Sequence, residues 1–449
     1  RQLLWPQTRN IIQSQFLNTV EVLMTKKILL FSLLALGIFS SNAMAEVSAE
    51  VEYIFNTFSF LACAFLVATM ALGFMLLESG LVTTRSVTSI AAKNIGKFAI
   101  ASIVFFLFGY NLMYMVPEAG YIGVFTPWSD ASSIETGYSD ASDWLFQALF
   151  VCATVSIVSG AVAERFLIWP FFLFAAILAG IIYPIVGAAT WGGGWLSALG
   201  YYDFAGAMIV HGCGGAAALA GVILLGPRLG RFNEKGELAN LTPFLPSSVP
   251  LAMTGTFILF FGFYGFNAGS QLALGSFEDA TAMSDIFLNT HLAGCGGVLA
   301  GAVVSRLVTG KTDILMLGNG ALAGLVAITA DPLSPAPGLA LLIGMVAGVI
   351  MFIGSNVMKK FGIDDVVDAV SVHLAAGVFG ALVVPLSNPD ATFVGQLTGI
   401  VSIFVLVFVL SYVVMYIMKA TIGLRVSAES EEVGLDRSEV GVDAYSIRD

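Results

Sequence analysis

The stretch Asp203-Phe204-Ala205-Gly206-Ala207-Met208-Ile209-Val210-His211-Gly212-Cys213-Gly214-Gly215 decides how this chain is read. A second stretch, Asp365-Val366-Val367-Asp368-Ala369-Val370-Ser371-Val372-His373-Leu374-Ala375-Ala376-Gly377, repeats its plan. In each, seven residues separate an Asp from a His, Val stands just before the His, and small residues follow. Each lies in a run apolar enough to cross a bilayer. An ionisable residue at membrane depth is costly and by default marks a functional site. The same arrangement in two parts of one chain points to an internal repeat with a site between its halves. Two of the three histidines of the chain lie here.

Working outward, composition agrees. Of 449 residues, 57% are hydrophobic and 11% charged, with a mean hydropathy of +0.90. A soluble chain carries roughly 25% charged residues, so this is a polytopic membrane protein. Its 48 glycines suit close helix packing in lipid. The net charge of −11, with few Lys and Arg spread over short loops, does not suggest a nucleic-acid partner, and none is expected. Cys63, Cys152, Cys213 and Cys295 fall in apolar segments and read as small buried packing residues, not disulfides or metal ligands.

Residues 1–23 show no pattern and form an unassigned leader. From Met24, Lys26 and Lys27 precede an apolar run from Ile28 to Phe39, and Ala43-Met44-Ala45 supplies a small-residue cleavage site. Residues 24–45 therefore read as a secretory signal peptide. The competing reading is an uncleaved first span, but the run is short of the roughly 20 residues a span needs.

Hydropathy then marks eleven spans, near 53–77, 97–116, 145–163, 167–190, 204–226, 249–269, 285–305, 314–330, 337–358, 366–386 and 396–418. One set of alternate loops carries Arg85, Lys93, Lys97, Arg165, Arg228, Arg231, Lys235, Arg306, Lys311, Lys359 and Lys360, joined by Lys419 and Arg425 after the last span. The other set has no Lys or Arg, but has Glu118, Asp130, Glu135, Asp140, Asp143, Glu278, Asp279, Asp331 and Asp390. Positive charge stays inside, so the mature N-terminus is expected outside and the C-terminus in the cytoplasm. The fold class is an all-α membrane protein: eleven transmembrane helices, two inverted five-helix repeats plus a C-terminal eleventh helix. The transmembrane domain is expected over 46–420 and a cytoplasmic tail over 421–449. Inversion puts the two Asp near opposite membrane faces and brings both His towards the midplane, about 12 Å along each helix at 1.5 Å per residue.

Other stretches now carry a resemblance. These are Leu76-Leu77-Glu78-Ser79-Gly80-Leu81-Val82, Gly160-Ala161-Val162-Ala163-Glu164-Arg165 and Trp191-Gly192-Gly193-Gly194-Trp195, with Gly265-Phe266-Asn267-Ala268-Gly269-Ser270 and Ala323-Gly324-Leu325-Val326. Near the end come Gly423-Leu424-Arg425-Val426 and Gly434-Leu435-Asp436. With the two Asp–His stretches, in this order and spacing, the chain from Tyr53 to Tyr445 resembles the Amt/MEP/Rh ammonium transporters, on the Amt side. The resemblance implies a site. Trp191, Phe150 and Ser270 would recruit ammonium at the outer mouth, with Asp203 nearby. Phe150 and Phe266 would stack as a gate, and His211 and His373 would line the pore. It also implies a homotrimer, ammonia crossing with net charge movement, and a tail that a PII signalling protein can grip, although the family's histidine near Val440 is absent. No cofactor is implied.

The chemistry of these residue types agrees. Stripping water from a small cation costs more than one contact returns, and aromatic faces offer about 0.5–2 kcal/mol each. A buried imidazole is disfavoured as a cation, so the pair should be neutral or share a proton. A neutral imidazole can accept a hydrogen bond or a proton from ammonium, which K⁺ cannot supply. The bland readings are interfacial belt for Trp191, as for Trp128, Trp144 and Trp195, and core or lipid-facing packing for any one of 35 phenylalanines. Asp203, Asp364 and Asp365 read as helix N-caps, Asp203 also lowering the potential at the mouth. His291 reads as structural, at the start of the seventh span, and the acidic loop 117–144 takes no role. Two rivals remain. One is an ammonium receptor, which the tail argues against, since it leaves about 30 residues where an output domain would need far more. The other is an electroneutral ammonia gas channel. An enzyme is not expected, for no nucleophile–base pair or metal cluster stands beside the two histidines.

Overall fold

A computed structural model describes residues 16–28, 47–118, 120–239 and 244–445. The chain divides into two compact units, Arg1–Ser48 and Ala49–Asp449. Of the first unit, residues 16–28 form an exposed helix. Most of the expected signal peptide lies outside the described residues.

The second unit is helical, with eleven apolar helices among its described residues, nine long and two shorter. They are α1 Ala49–Leu81, α2 Val87–Tyr114, α3 Asp140–Ala161, α4 Ile168–Ala189, α5 Ala207–Leu225, α6 Val249–Gly269, α7 Phe277–Thr309, α8 Ile314–Ile328, α9 Pro337–Lys360, α10 Val370–Leu386 and α11 Phe393–Thr421. The centres match the hydropathy spans, but several ends overrun them. At 33 residues each, α1 and α7 are about 50 Å long at 1.5 Å per residue, longer than a hydrocarbon core of about 30 Å. α3 starts at Asp140, not 145, because Asp140 and Asp143 suit the positive end of its first turn. α2 starts at Val87, ten residues early, because Asp436 accepts from the amides of Val87 (3.0 Å) and Ser89 (2.8 Å).

That extension corrects the charge count. Lys93 and Lys97 are not loop residues; both are buried in α2. Lys93 donates to the Phe166 carbonyl, and Lys97 pairs with Glu78 at 3.2 Å. Arg306, Lys359, Lys360 and Lys419 also lie in last turns, of α7, α9 and α11, while Arg85, Arg165, Arg228, Arg231, Lys235, Lys311 and Arg425 lie between or after the helices. The loops holding Arg85, Arg165 and Arg228 meet the tail at one end of the bundle. Asp436 N donates to Arg85 O (3.0 Å), Val426 N to Arg165 O (3.1 Å) and Leu229 N to Glu431 (2.7 Å). Glu439 accepts from Ile168 N (3.0 Å) and so caps α4. The tail is thus built into the fold.

The tail end also contains a buried ion network. Arg228 donates to both oxygens of Asp364, at 2.7 and 3.0 Å, and to Glu164. Arg165, fully buried, donates to the carbonyls of Gly226 (2.8 Å), Ala163 (3.0 Å) and Asp364. Asp364 therefore does not cap α10 as expected; only Asp365 does, accepting from Val370 N at 2.7 Å and Val367 N at 3.3 Å. Two adjacent Asp give the same local signal, and a cation distant in sequence takes one of them. Burial works to raise the Asp364 carboxyl, but Arg228 and Arg165 outweigh it and hold it well below the ordinary range. Its stabilisation is present above the ordinary carboxylate value of about 3.9 and fades only as pH falls towards the lower folded value.

Replacing Arg228 by Met leaves Asp364 and Glu164 buried without their counter-charge. We expect a loss of about 3–5 kcal/mol, read as a lower melting temperature of the detergent-solubilised protein. An unchanged melting temperature would mean the network contributes nothing.

Candidate functional site

The site is built by the starts of two helices. α5 and α10 each open with a π-wound turn, Ala207–Gly212 and Val370–Ala375, and each turn carries its histidine. Such wide turns are rare and gather at functional sites. An aspartate holds each one. Asp203 accepts from the amides of Gly206 (3.1 Å), Ala207 (2.7 Å), Met208 (2.8 Å) and Ile209 (3.0 Å). Asp365 does the same for α10. Burial pushes the Asp203 carboxyl up to about 6, opposed by these four amides. Its oxygens are committed to its own helix, so an approaching cation meets its charge and not its lone pairs.

α5 and α10 cross closely because small residues follow each His. A Cβ on Gly215 would lie 2.7 Å from the backbone nitrogen of Leu374. Gly206 has a second demand: its φ is +101°, and a Cβ there would sit 2.9 Å from the Trp191 ring. The crossing brings the imidazoles together. The Nδ1 atoms of His211 and His373 are 3.3 Å apart, with ring centroids at 5.2 Å and an angle of 22°. At that spacing a proton carried by either Nδ1 can be accepted by the other, the direction following the tautomer. Both rings are buried, and Nε2 of His211 has no hydrogen-bond partner among the described residues.

Aromatic rings line both sides. Phe263 and Phe266 of α6 lie 5.2 Å from His211, and Phe74 of α1 lies 6.2 Å from His373. α1 and α6 are the first helices of the two halves, so the walls repeat as the histidines do. Phe266 stacks on Phe150 at 3.8 Å and 15°. Beyond that stack, away from the histidines, opens a cavity of about 430 Å³, lined by residues including Phe150, Trp191 and Ser270. Trp191 stands 6.1 Å from Phe150 at 73°, fixed by its indole N–H donating to Asp203 O at 2.8 Å. The hydroxyl of Ser270 donates to Phe266 O at 2.9 Å, which leaves only its lone pairs for the cavity. All seven residues singled out from the sequence therefore belong to one column, with Asp203 as its support.

A buried cluster escaped the sequence reading. Glu78 takes hydrogen bonds from Asn94 (2.9 Å) and Ser159 (2.7 Å) beside Lys97, and it lines a small cavity with His373 on the tail side. The available signal was a carboxylate within an apolar span, the rule that exposed the histidines. Two minor expectations change. His291 lies inside α7, not at its start, exposed on the bundle surface with Nδ1 2.7 Å from the Tyr264 hydroxyl. Cys295 is exposed beside it, while the other three cysteines are buried as expected.

The sequence profile of the Ammonium Transporter Family matches residues 58–445. The ammonium transporter Amt2 of Haloferax mediterranei is 37% identical over 431 residues, covering 89% of this chain and 92% of its own. Amt2 of Archaeoglobus fulgidus is 36% identical over 426 residues, covering 86% and 87%. Among solved structures, a sensor Amt protein superposes with a TM-score of 0.81 at 31% identity, covering 88% of this chain and 100% of its own. Mep2 of Candida albicans gives 0.76 at 25%, covering 86% and 89%. The chain belongs to the ammonium transporter family.

The crossing can be tested without touching the histidines. Gly215→Val forces side-chain atoms into the Leu374 backbone, and overpacking costs about 1–3 kcal/mol. We expect a lower melting temperature in detergent. Gly338→Ala is the control, since a Cβ there meets nothing within 4 Å. Equal melting for the two variants would show that α5 and α10 do not need this close approach.

Proposed function

We propose that this member of the ammonium transporter family recruits NH₄⁺ at the cavity bounded by Trp191, Phe150 and Ser270, deprotonates it, and passes ammonia between His211 and His373 with net movement of charge. The observation that carries the reading is the contact of two buried imidazoles directly beneath the Phe150–Phe266 stack. An ion cannot rest there at modest cost. Burying an unpaired charge costs many kcal/mol, and the walls offer rings and one imidazole pair in return. Ammonium escapes the cost by giving a proton to water at the mouth: one N–H bond breaks with its electron pair left on nitrogen, an O–H bond forms on the water, and the molecule that enters is neutral. The neutral molecule then exchanges hydrogen bonds with the imidazoles. K⁺ has no proton to lose and meets the full cost. The proton travels separately, and its passage makes the overall movement electrogenic.

At the mouth the cation faces the rings of Trp191 and Phe150, worth about 0.5–2 kcal/mol each, and donates an N–H to the Ser270 hydroxyl oxygen. The charge of Asp203 lowers the local potential. The Phe150–Phe266 stack must part for passage and acts as the gate. The charge segregation of the loops supports an inner, plasma-membrane location with this mouth outside and the tail in the cytoplasm. Within this reading the chain assembles as a homotrimer in lipid. The tail, folded against the loops between α1 and α2 and between α3 and α4, is the surface a PII signalling protein would grip.

A second reading keeps the same site. The similarity to a sensor Amt protein favours a receptor that binds ammonium and passes little. Ammonium-evoked current in proteoliposomes, recorded with an internal pH dye and with K⁺ as control, separates the readings. We expect saturable current with ammonium and none with K⁺. An internal pH rise without current would instead indicate neutral ammonia conduction. Silence in both channels, with ammonium still bound, would leave the receptor.

A further inference from the structure

Glu78, Lys97 and Asn94 are buried polar residues with no part in the column of rings. Glu78 stands in the last turn of α1, and Asn94 and Lys97 follow on α2. A buried ion pair is weak support for stability, because desolvation opposes the attraction. Apolar residues of the same size would hold α1 to α2 as well. What distinguishes this pair is its neighbour. Glu78 and His373 are the two titratable side chains that line one small cavity, which has room for about one water molecule. Lys97 Nζ lies 5.9 Å over the ring of Phe74, and Phe74 is the ring that packs against His373 at 6.2 Å.

The network around Glu78 has a place for one more proton. The Ser159 hydroxyl stands 2.7 and 2.8 Å from the two oxygens of Glu78 and 2.9 Å from the Ser156 carbonyl, and it has one proton to give. Lys97 donates to Ser159 Oγ and to Glu78 Oε1 (3.2 Å), and Asn94 donates to Glu78 Oε2 (2.9 Å). With Glu78 ionised, Ser159 donates to the carboxylate. With Glu78 protonated, its O–H donates to Ser159 Oγ, and Ser159 turns its own proton to the Ser156 carbonyl. Both states leave every donor paired. Asn94 Oδ1 is buried without a partner among the described residues, so acceptors outnumber the donors that reach them. The protonated state leaves Lys97 without its counter-charge, so it is short-lived and gives the proton up again. A pair that only held two helices together would need no second pattern.

Resting on the transporter reading, we propose that Glu78, with Ser159 and Lys97, carries the proton that crosses separately from ammonia, on the tail side of the histidines. An N–H bond of His373 breaks with its electron pair left on nitrogen, one water passes the proton on, and an O–H bond forms on Glu78. The ring regains a proton through its contact with His211. Release breaks the O–H bond, leaves its electron pair on oxygen and restores the ion pair with Lys97. Asn319, on another wall of the cavity, donates to Asp368 Oδ2 at 3.3 Å, and the Asp368 side chain is 15% exposed at the tail end. The exit therefore ends on a carboxylate that water reaches. Neutral ammonia needs none of these carboxylates, so the two routes part below His373.

The test reads ammonium-evoked current and internal pH together, in proteoliposomes of the full chain. Glu78→Gln keeps the size and most hydrogen bonds of the side chain but cannot carry the proton. Its current should fall by about tenfold or more. Its internal pH should rise further than in the wild type, because ammonia still crosses while its proton stays outside. Glu78→Asp, which keeps a proton site, should retain part of the current. Wild-type current in a folded Glu78→Gln variant overturns the proposal. So does loss of current with no pH rise, which is what a merely structural pair would give. If Glu78→Gln does not fold, wild-type current in Ser159→Ala overturns it. A wild type that carries no current removes the transporter reading and this proposal with it. A wild type with current, beside variants in which current and pH rise do not separate, removes this proposal alone.

Discussion

Two imidazoles meet at the centre of an apolar bundle, and the rest of the structure follows from that contact. Their Nδ1 atoms can lie 3.3 Å apart only if two helices cross with almost no side chain between them. Hence the small residues behind each His, and the short reach from Gly215 to the Leu374 backbone. The rings must also point at each other, and the π-wound turns set that direction. Wide turns need their free amides held. Asp203 and Asp365 do this from opposite ends of the bundle, one for each half.

The tail end holds the frame in which this crossing occurs. α10 begins just after Asp364, and Asp364 is gripped by Arg228, which follows α5. Arg165, after α3, donates to the carbonyl of the same Asp364. One buried network thus joins the ends of α3 and α5 to the start of α10, the helices nearest the histidines. A buried ion network is weak support for stability as such, but removing one member leaves an uncompensated charge. Its value here is positional: it fixes where the second π-turn starts.

Much of this was legible in the sequence, and the failures have physical causes. Span centres follow from hydropathy because lipid demands long apolar helices. Span ends do not, because their caps come from distant residues: Asp436 caps the start of α2 from the far end of the chain. That is why Lys93 and Lys97 read as loop charges although they are buried. Asp143 read as an outer-loop charge for a similar reason, just outside the apparent edge of a span whose helix starts earlier, at Asp140. Asp364 and Asp365 are locally indistinguishable, and only Arg228 separates them. The seven site residues were legible through the repeat and a family resemblance, and they do come together. Glu78 was missed because a single polar residue in an apolar span shows no partner until the helices are packed.

The account stands or falls on the imidazole pair as the element that admits an N–H donor and refuses a bare ion. The direct measurement is the ratio of ammonium to K⁺ current in proteoliposomes, for wild type against His211→Ala and His373→Ala. The account predicts that each substitution abolishes the ammonium current or lets K⁺ through, so that discrimination collapses. Currents of wild-type size with undiminished rejection of K⁺ in both variants would contradict it.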